Sequence, residues 1–121
     1  MMDSIQSEVY TALSGTGYSI AYFHPQGPSS IPCMSFFESL NREYAQADGD
    51  EYITEVEYTV DIWASTPETT ASMALVIDTA LAALRLKRTF SHDLYEADTR
   101  THHKNMRYRA LIHISQQLIY Q

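Results

Sequence analysis

The stretch from Glu51 to Trp63 constrains this chain more than any other, because its residues alternate between two chemical characters with a period of two. Tyr52, Val56, Tyr58, Val60 and Ile62 fall on one face, with Thr54 among them. Glu51, Glu55, Glu57, Thr59 and Asp61 fall on the other, where Ile53 and Trp63 are exceptions. Successive strand side chains point to opposite sides, so this pattern predicts a β-strand with one face in a core and one in water. One strand cannot bury such a face alone; it needs neighbouring strands and a layer to cover them.

The flanking segments supply both. Ile5, Val9 and Leu13 recur every four residues behind Asp3 or Ser4, either of which can cap a helix over 4–13. Gly15 and Gly17 end it, since glycine accepts the left-handed geometry of a helix stop. Tyr18 to Phe23 reads as a short strand, closed by His24-Pro25 and the turn-rich Gln26-Gly27-Pro28-Ser29-Ser30. Ile31 to Tyr44 is a second strand region, with Pro32 near its start, where a missing N–H does least harm. Ala45-Gln46-Ala47-Asp48-Gly49-Asp50 has the polar, Asp-Gly-containing make-up of a hairpin tip.

Beyond Trp63, Ser65 and Glu68 have capping-box spacing and Pro67 suits a first helical turn. The helix is expected to run to about Leu86. Ala74, Ile77, Leu81 and Leu84 make its sheet-facing stripe, with Met73 and Ala80 beside them. Arg85, Lys87 and Arg88 fall at its C-terminal end, where positive charge meets the negative end of the helix dipole.

Thr89 to Glu96 and Lys104 to Tyr120 read as the last strands, joined by a turn around Asp98-Thr99-Arg100. In the final strand Met106, Tyr108, Ala110, Ile112 and Ile114 share one face, and Asn105, Arg107, Arg109 and His113 the other, interrupted by Leu111. That polar face is basic, whereas the polar face of Glu51–Trp63 is acidic. Opposite charges across a strand pair contribute about 0.2–1 kcal/mol each, which favours the two strands as neighbours. The expected fold is α+β in the order α-β-β-β-α-β-β: one mainly antiparallel sheet with the long helix on one face and a short N-terminal helix. A length of 121 residues suits a single domain, 1–121, with no internal repeat or linker.

Composition narrows the class. The chain is 45% apolar with nine Tyr, four Phe and one Trp, enough to fill an aromatic-rich core. No apolar run approaches the roughly 20 residues that span a bilayer, so no membrane partner is expected. Met1-Met2-Asp3-Ser4 lacks the basic start and apolar stretch of a signal peptide. With Cys33 as its single cysteine, the chain has no internal disulfide and no cysteine zinc site, and is expected to be a soluble protein of a reducing compartment or of a particle assembled in one.

The net charge of -7 is unevenly spread: twelve acids against Arg42 alone in residues 1–84, and seven bases against three acids in residues 85–121. The acidic part and the basic end attract each other either within one subunit or between neighbours. An acidic chain is a poor partner for nucleic acid, and no sequence-specific recognition is expected.

A search for chemistry gives no positive support for catalysis. Adjacent His102 and His103 point apart in a strand, with no Cys, Asp or Glu at ligand spacing beside them, so no metal site is assigned. Glu55 and Glu57 lie two apart on one strand face and read as a solvated face rather than a catalytic dyad. Cys33 has no nucleophile context and reads as a small buried residue. Neither a Gly-rich phosphate loop nor a Gly-x-Ser-x-Gly elbow is present, and no cofactor is expected.

Taken in order, three stretches resemble the tail-completion proteins of long-tailed, siphovirus-like bacteriophages, also called tail-terminator or head–tail joining proteins. They are Ile31-Pro32-Cys33-Met34-Ser35-Phe36-Phe37-Glu38, then Glu57-Tyr58-Thr59-Val60-Asp61-Ile62-Trp63-Ala64-Ser65 leading into the long helix, and Asp93-Leu94-Tyr95-Glu96-Ala97-Asp98-Thr99 followed by His103-Lys104 and Arg107-Tyr108-Arg109. With the element order they span about residues 5–115. The resemblance implies a non-enzymatic virion protein, assembled in the bacterial host cytoplasm. It would sit as a ring, a hexamer in such proteins, at the head-proximal end of the tail, against a tail-tube protein and a neck or head-completion protein. A tail-tube or neck-adaptor protein of the same particle, and a host or prophage protein-binding module, are the competing classes. In a ring each subunit meets the next head-to-tail, so an acidic and a basic edge can pair repeatedly. On this reading Glu55, Glu57 and Asp61 on one side and Arg100, Lys104, Arg107 and Arg109 on the other contribute to subunit or tube contacts, or else pair within the sheet. Gln26, Gly27, Ala47, Asp48 and Gly49 are the loop residues expected to meet a partner. Asp93, Tyr95 and Glu96 are read as serving the fold, with Tyr95 packed and the acids turned to water.

Overall fold

A computed structural model describes residues 5–20, 31–46, 52–113 and 118–120. Its elements follow the expected order: α1 (Gln6–Ser14), β1 (Ser19–Ile20), β2 (Cys33–Gln46), β3 (Tyr52–Ala64), α2 (Pro67–Ala82), β4 (Lys87–Glu96), β5 (Thr101–His113) and β6 (Leu118–Tyr120). The strands form one mixed sheet in the order β1-β2-β3-β5-β4, with β6 paired to β5. Only β1 and β2 are parallel; the other pairs are antiparallel. The acidic and basic strands are neighbours as expected, from Ile53 opposite His113 to Ala64 opposite His102.

Both helices lie on one face of the sheet. Val56, Tyr58, Val60 and Ile62 of β3 and Met106, Tyr108, Ala110 and Ile112 of β5 make the floor of the core. Ile5, Val9 and Leu13 of α1 and Met73, Ala74, Ile77 and Leu81 of α2 close it from above. These are the helix faces that the four-residue spacings pick out. Burying an aliphatic side chain of this size contributes about 1.5–3 kcal/mol, so the helices are held by packing more than by propensity.

Several boundaries differ from expectation. The cap of α2 is Thr66, not Ser65: its hydroxyl accepts the Thr69 N–H at 3.1 Å, and Pro67 directly follows. Proline suits the first helical position, which makes the residue before it the cap. The helix also stops at Ala82, short of Leu86. Leu86 N–H donates to the Leu81 carbonyl at 3.0 Å and Arg85 N–H to that of Ala82 at 2.9 Å, while Arg85 takes a φ of 64°. This is a Schellman stop, with buried Leu86 and Leu81 in its apolar contact positions. Arg85, Lys87 and Arg88 therefore leave the helix, and Lys87 and Arg88 begin β4.

At α1 the N-cap position is Ile5, without a side-chain cap; Asp3 and Ser4 lie outside the described residues. Gly17 alone of the two glycines adopts a positive φ, 88°, and Gly15 stays right-handed. The final strand is two: β6 lies antiparallel to the end of β5, with Leu111 opposite Tyr120. His24, Gln26–Ser30, Ala47–Asp50 and Ile114, for which the sequence predicts turns and a strand position, lie outside the described residues.

The cap assignment is testable by thermal or urea unfolding. Thr66→Ala should cost about 1 kcal/mol, whereas Ser65→Ala should stay within about 0.5 kcal/mol. Equal losses would refute the assignment.

Candidate interaction surface

The sheet face opposite the core is the one on which the sequence placed its charges, and among the described residues no helix covers it. It is far from a simple solvated face. Glu55 is only 7% exposed, because two guanidiniums close over its carboxylate. Arg42 Nε reaches Oε1 at 2.8 Å from β2, and Arg109 Nε donates to Oε2 from β5. The hydrogen bond from Arg109, against the opposing cost of burial, holds Glu55 below the usual carboxylate range, and Arg42 adds to the effect. Arg109 is raised in turn by the Glu55 bond. Its guanidinium also lies 5.5 Å from the Tyr44 ring centre.

A second cluster forms at the other end of β3. Asp61 Oδ1 receives Asn105 Nδ2 at 2.7 Å and lies 2.8 Å from His103 Nε2, while His103 Nδ1 is 3.2 Å from Glu96. The His103 ring stacks on the Trp63 indole, with centroids 4.6 Å apart. Burial works against the charged imidazole, but the Asp61 bond and the charges of Asp61 and Glu96 outweigh it and raise His103 above its ordinary value. Between the clusters, a register shift places Ser39 so that its hydroxyl donates to Glu57 Oε2 at 2.8 Å and receives the Thr59 hydroxyl at 2.9 Å.

The residues nominated from sequence therefore divide. Glu55 meets Arg109, Asp61 meets His103, and Lys104 meets Asp93 rather than an acid of β3. Lys104 departs because its side chain falls on the helix side of the sheet, together with Asp93 opposite it on β4. Arg107 is exposed and lies 4.8 Å from the Phe90 ring centre, and Arg100 is exposed in the β4–β5 turn. Gln26, Gly27, Ala47, Asp48 and Gly49 are outside the described residues.

Two expectations about Asp93–Glu96 need correction. Tyr95 is 56% exposed rather than packed, because β4 is an edge strand; its ring tilts against His102. Asp93 is turned to water as expected, its side chain 75% exposed while it meets Lys104, whereas Glu96 is half-buried against His103. Sequence reading missed the roles of Arg42, Tyr44, Phe90 and His103. The available signal was Trp63, an aromatic residue on an otherwise polar strand face, which needs a flat partner. Cys33 is buried as expected, and burial pushes its thiol up. Among the described residues no three His, Cys, Asp or Glu side chains are placed to hold a metal, and no helix is long and apolar enough to cross a membrane.

The His103 cluster gives stability a pH dependence of known sign. The folded state binds the imidazole proton more tightly than the unfolded chain, whose histidines titrate near about 6.5. Its contribution is thus full below that pH and is lost as pH rises through the raised His103 value. Glu55 has the opposite sign: its contribution is present above about 4.3 and is lost as pH falls through its lowered value. Melting temperatures measured against pH should fall on both sides. His103→Asn should remove the decline that begins at about 6.5 but leave the acidic one and the later alkaline loss from the raised Cys33 thiol. An unchanged alkaline decline in His103→Asn would contradict the assignment.

The family model described as Tail completion protein gp17 matches residues 5–113. No curated protein matches the chain.

Proposed function

The chain belongs to the Tail completion protein gp17 family, a family of structural phage tail components, and from that membership we propose that it ends the tail tube and joins the tail to the head as a ring of subunits. The observation that carries this reading is the family match over residues 5–113, which takes in both helices and strands β1 to β5. On it the protein sits at the head-proximal end of the tail, between a tail-tube protein and a neck or head-completion protein, after assembly in the host cytoplasm. Its work is to present surfaces rather than to catalyse.

The geometry supports this by physical argument. A sheet with one face sealed by helices and the other carrying half-exposed aromatics beside cations can meet partners without opening its core. Phe37, Tyr44, Phe90 and Leu94 are 53%, 54%, 41% and 42% exposed on that open side. Aromatic residues and Arg are the types enriched at protein interfaces. Glu57, Arg100 and Arg107 are proposed as contacts to a neighbouring subunit or to the tube, and Glu55, Asp61, Lys104 and Arg109 as contacts that also hold the subunit's own network together.

This division makes the two arginines of β5 separable. Arg107→Glu should leave the melting temperature within a few degrees but block tail completion, since Arg107 is exposed and only overlies Phe90. Arg109→Glu should destabilise the fold itself, because it removes a partner from buried Glu55 and adds a like charge. Complementation of a deletion phage, read by electron microscopy, supplies the readout. Without the gene, filled heads are expected apart from tails of abnormal length; normal infectious particles would overturn the proposal.

A further inference from the structure

Strand β4 ends the sheet, and all but the last of its residues are exposed. Such an edge offers a row of main-chain donors and acceptors to another strand, and proteins ordinarily blunt or cover it. Here ten residues carry Phe90 and Leu94 at 41% and 42% exposure, with no proline among them. The order of side chains along this edge points to its partner.

The register with β5 fixes the faces. Lys87, Phe90, His92, Leu94 and Glu96 lie on the open side, and Arg88 and Tyr95 on the helix side, because a register shift between Arg88 and Phe90 inserts one extra residue. Strand β4 is basic at its start and acidic at its end. Laid antiparallel against itself with His92 on the axis, Phe90 falls opposite Leu94, and beyond the shift Arg88 falls opposite Tyr95 and Lys87 opposite Glu96. Every opposed pair shares a face, as an antiparallel ladder demands, and every pair occurs twice. We propose that the β4 edge is a self-complementary interface that pairs with β4 of a second copy about a two-fold axis, joining the two sheets into one.

A two-fold contact uses the same patch on both subunits and closes on itself, unlike the head-to-tail contact of a ring. It therefore describes the protein before it is placed in a particle, with an aggregation-prone edge covered until assembly. A strand of this length supplies main-chain bonds for affinity, while the side-chain pairs set register and specificity. Glu96 also holds His103 at 3.2 Å, so one carboxylate links the interface to the open-face network.

Sedimentation velocity of the full chain across a concentration series tests the proposal, with circular dichroism as a check on folding. A reversible dimer is expected for the natural sequence. Lys87→Glu should weaken it by at least about tenfold, and adding Glu96→Lys to that variant should restore it. Leu94→Lys should give a folded monomer. A natural sequence that stays monomeric at the highest concentration would overturn the proposal, as would a dimer indifferent to Lys87→Glu and Leu94→Lys. Closed rings without a dimer would overturn it too, yet would support the reading of the tail role. Because the dimer forms outside the particle, its loss leaves that reading standing, and only the deletion phage decides the latter.

Discussion

The antiparallel pairing of β3 with β5 is the constraint on which the rest depends. These strands are central in the sheet, and they bring together residues 53–64 and 102–113, with the whole of α2 and β4 between them in sequence. Their even-numbered residues floor the core, so α1 and α2 have a surface to pack on only once this pair has formed. Strands β2 and β4 then extend it outward, one on each side. A slip of one residue along the pair would exchange the two faces of a strand. It would send Glu55 into the apolar core and expose Val56 and Tyr58.

The charge arrangement guards against that slip. Glu55 is fixed from β2 by Arg42 and from β5 by Arg109, so three adjacent strands share one carboxylate. A buried ion pair carries a desolvation cost that offsets much of its attraction, so its net contribution to stability is small. Removing one partner is a different matter, because the remaining charge stays buried without compensation. The triad therefore penalises wrong registers more than it deepens the right one. The Asp61–His103–Glu96 cluster does the same at the other end, tying β3 to β5 and to the edge strand β4.

What was legible in the sequence was whatever obeys a short period. The alternation in Glu51–Trp63 and the four-residue spacing of Ile5, Val9 and Leu13 or of Ala74, Ile77 and Leu81 each report one local geometry and the face it buries. The acidic and basic faces of β3 and β5 were enough to predict that they lie side by side. The open-face network was not legible in the same way. Arg42 and Glu55 are thirteen residues apart and Asp61 and His103 forty-two, and no periodicity links them. Two register shifts in β2 and one in β4 also change which side chains share a face, and nothing in the residue pattern marks an inserted residue. Helix ends were misjudged for a related reason. The stop at Arg85 depends on main-chain bonds to Leu81 and Ala82, and an arginine in the left-handed region carries none of the signal that a glycine would.

The uneven charge of the chain acquires a different meaning once the contacts are known. An acidic first part and a basic end suggest an attraction between two bodies, yet much of it is spent within one copy of the chain, where Glu55 meets Arg109 and Asp61 meets His103 across the sheet and Asp78 of α2 meets Arg88 of β4. Ion pairs already satisfied inside a subunit have little left to steer a neighbour. Any recognition of a partner would then rest on what the sheet leaves outside: an edge strand, half-exposed aromatic rings and the cations lying over them. Such features act at contact distance and depend on shape and register. Every copy carries the β4 edge, so that edge can be covered in a free pair, while the open face awaits a partner of matching shape.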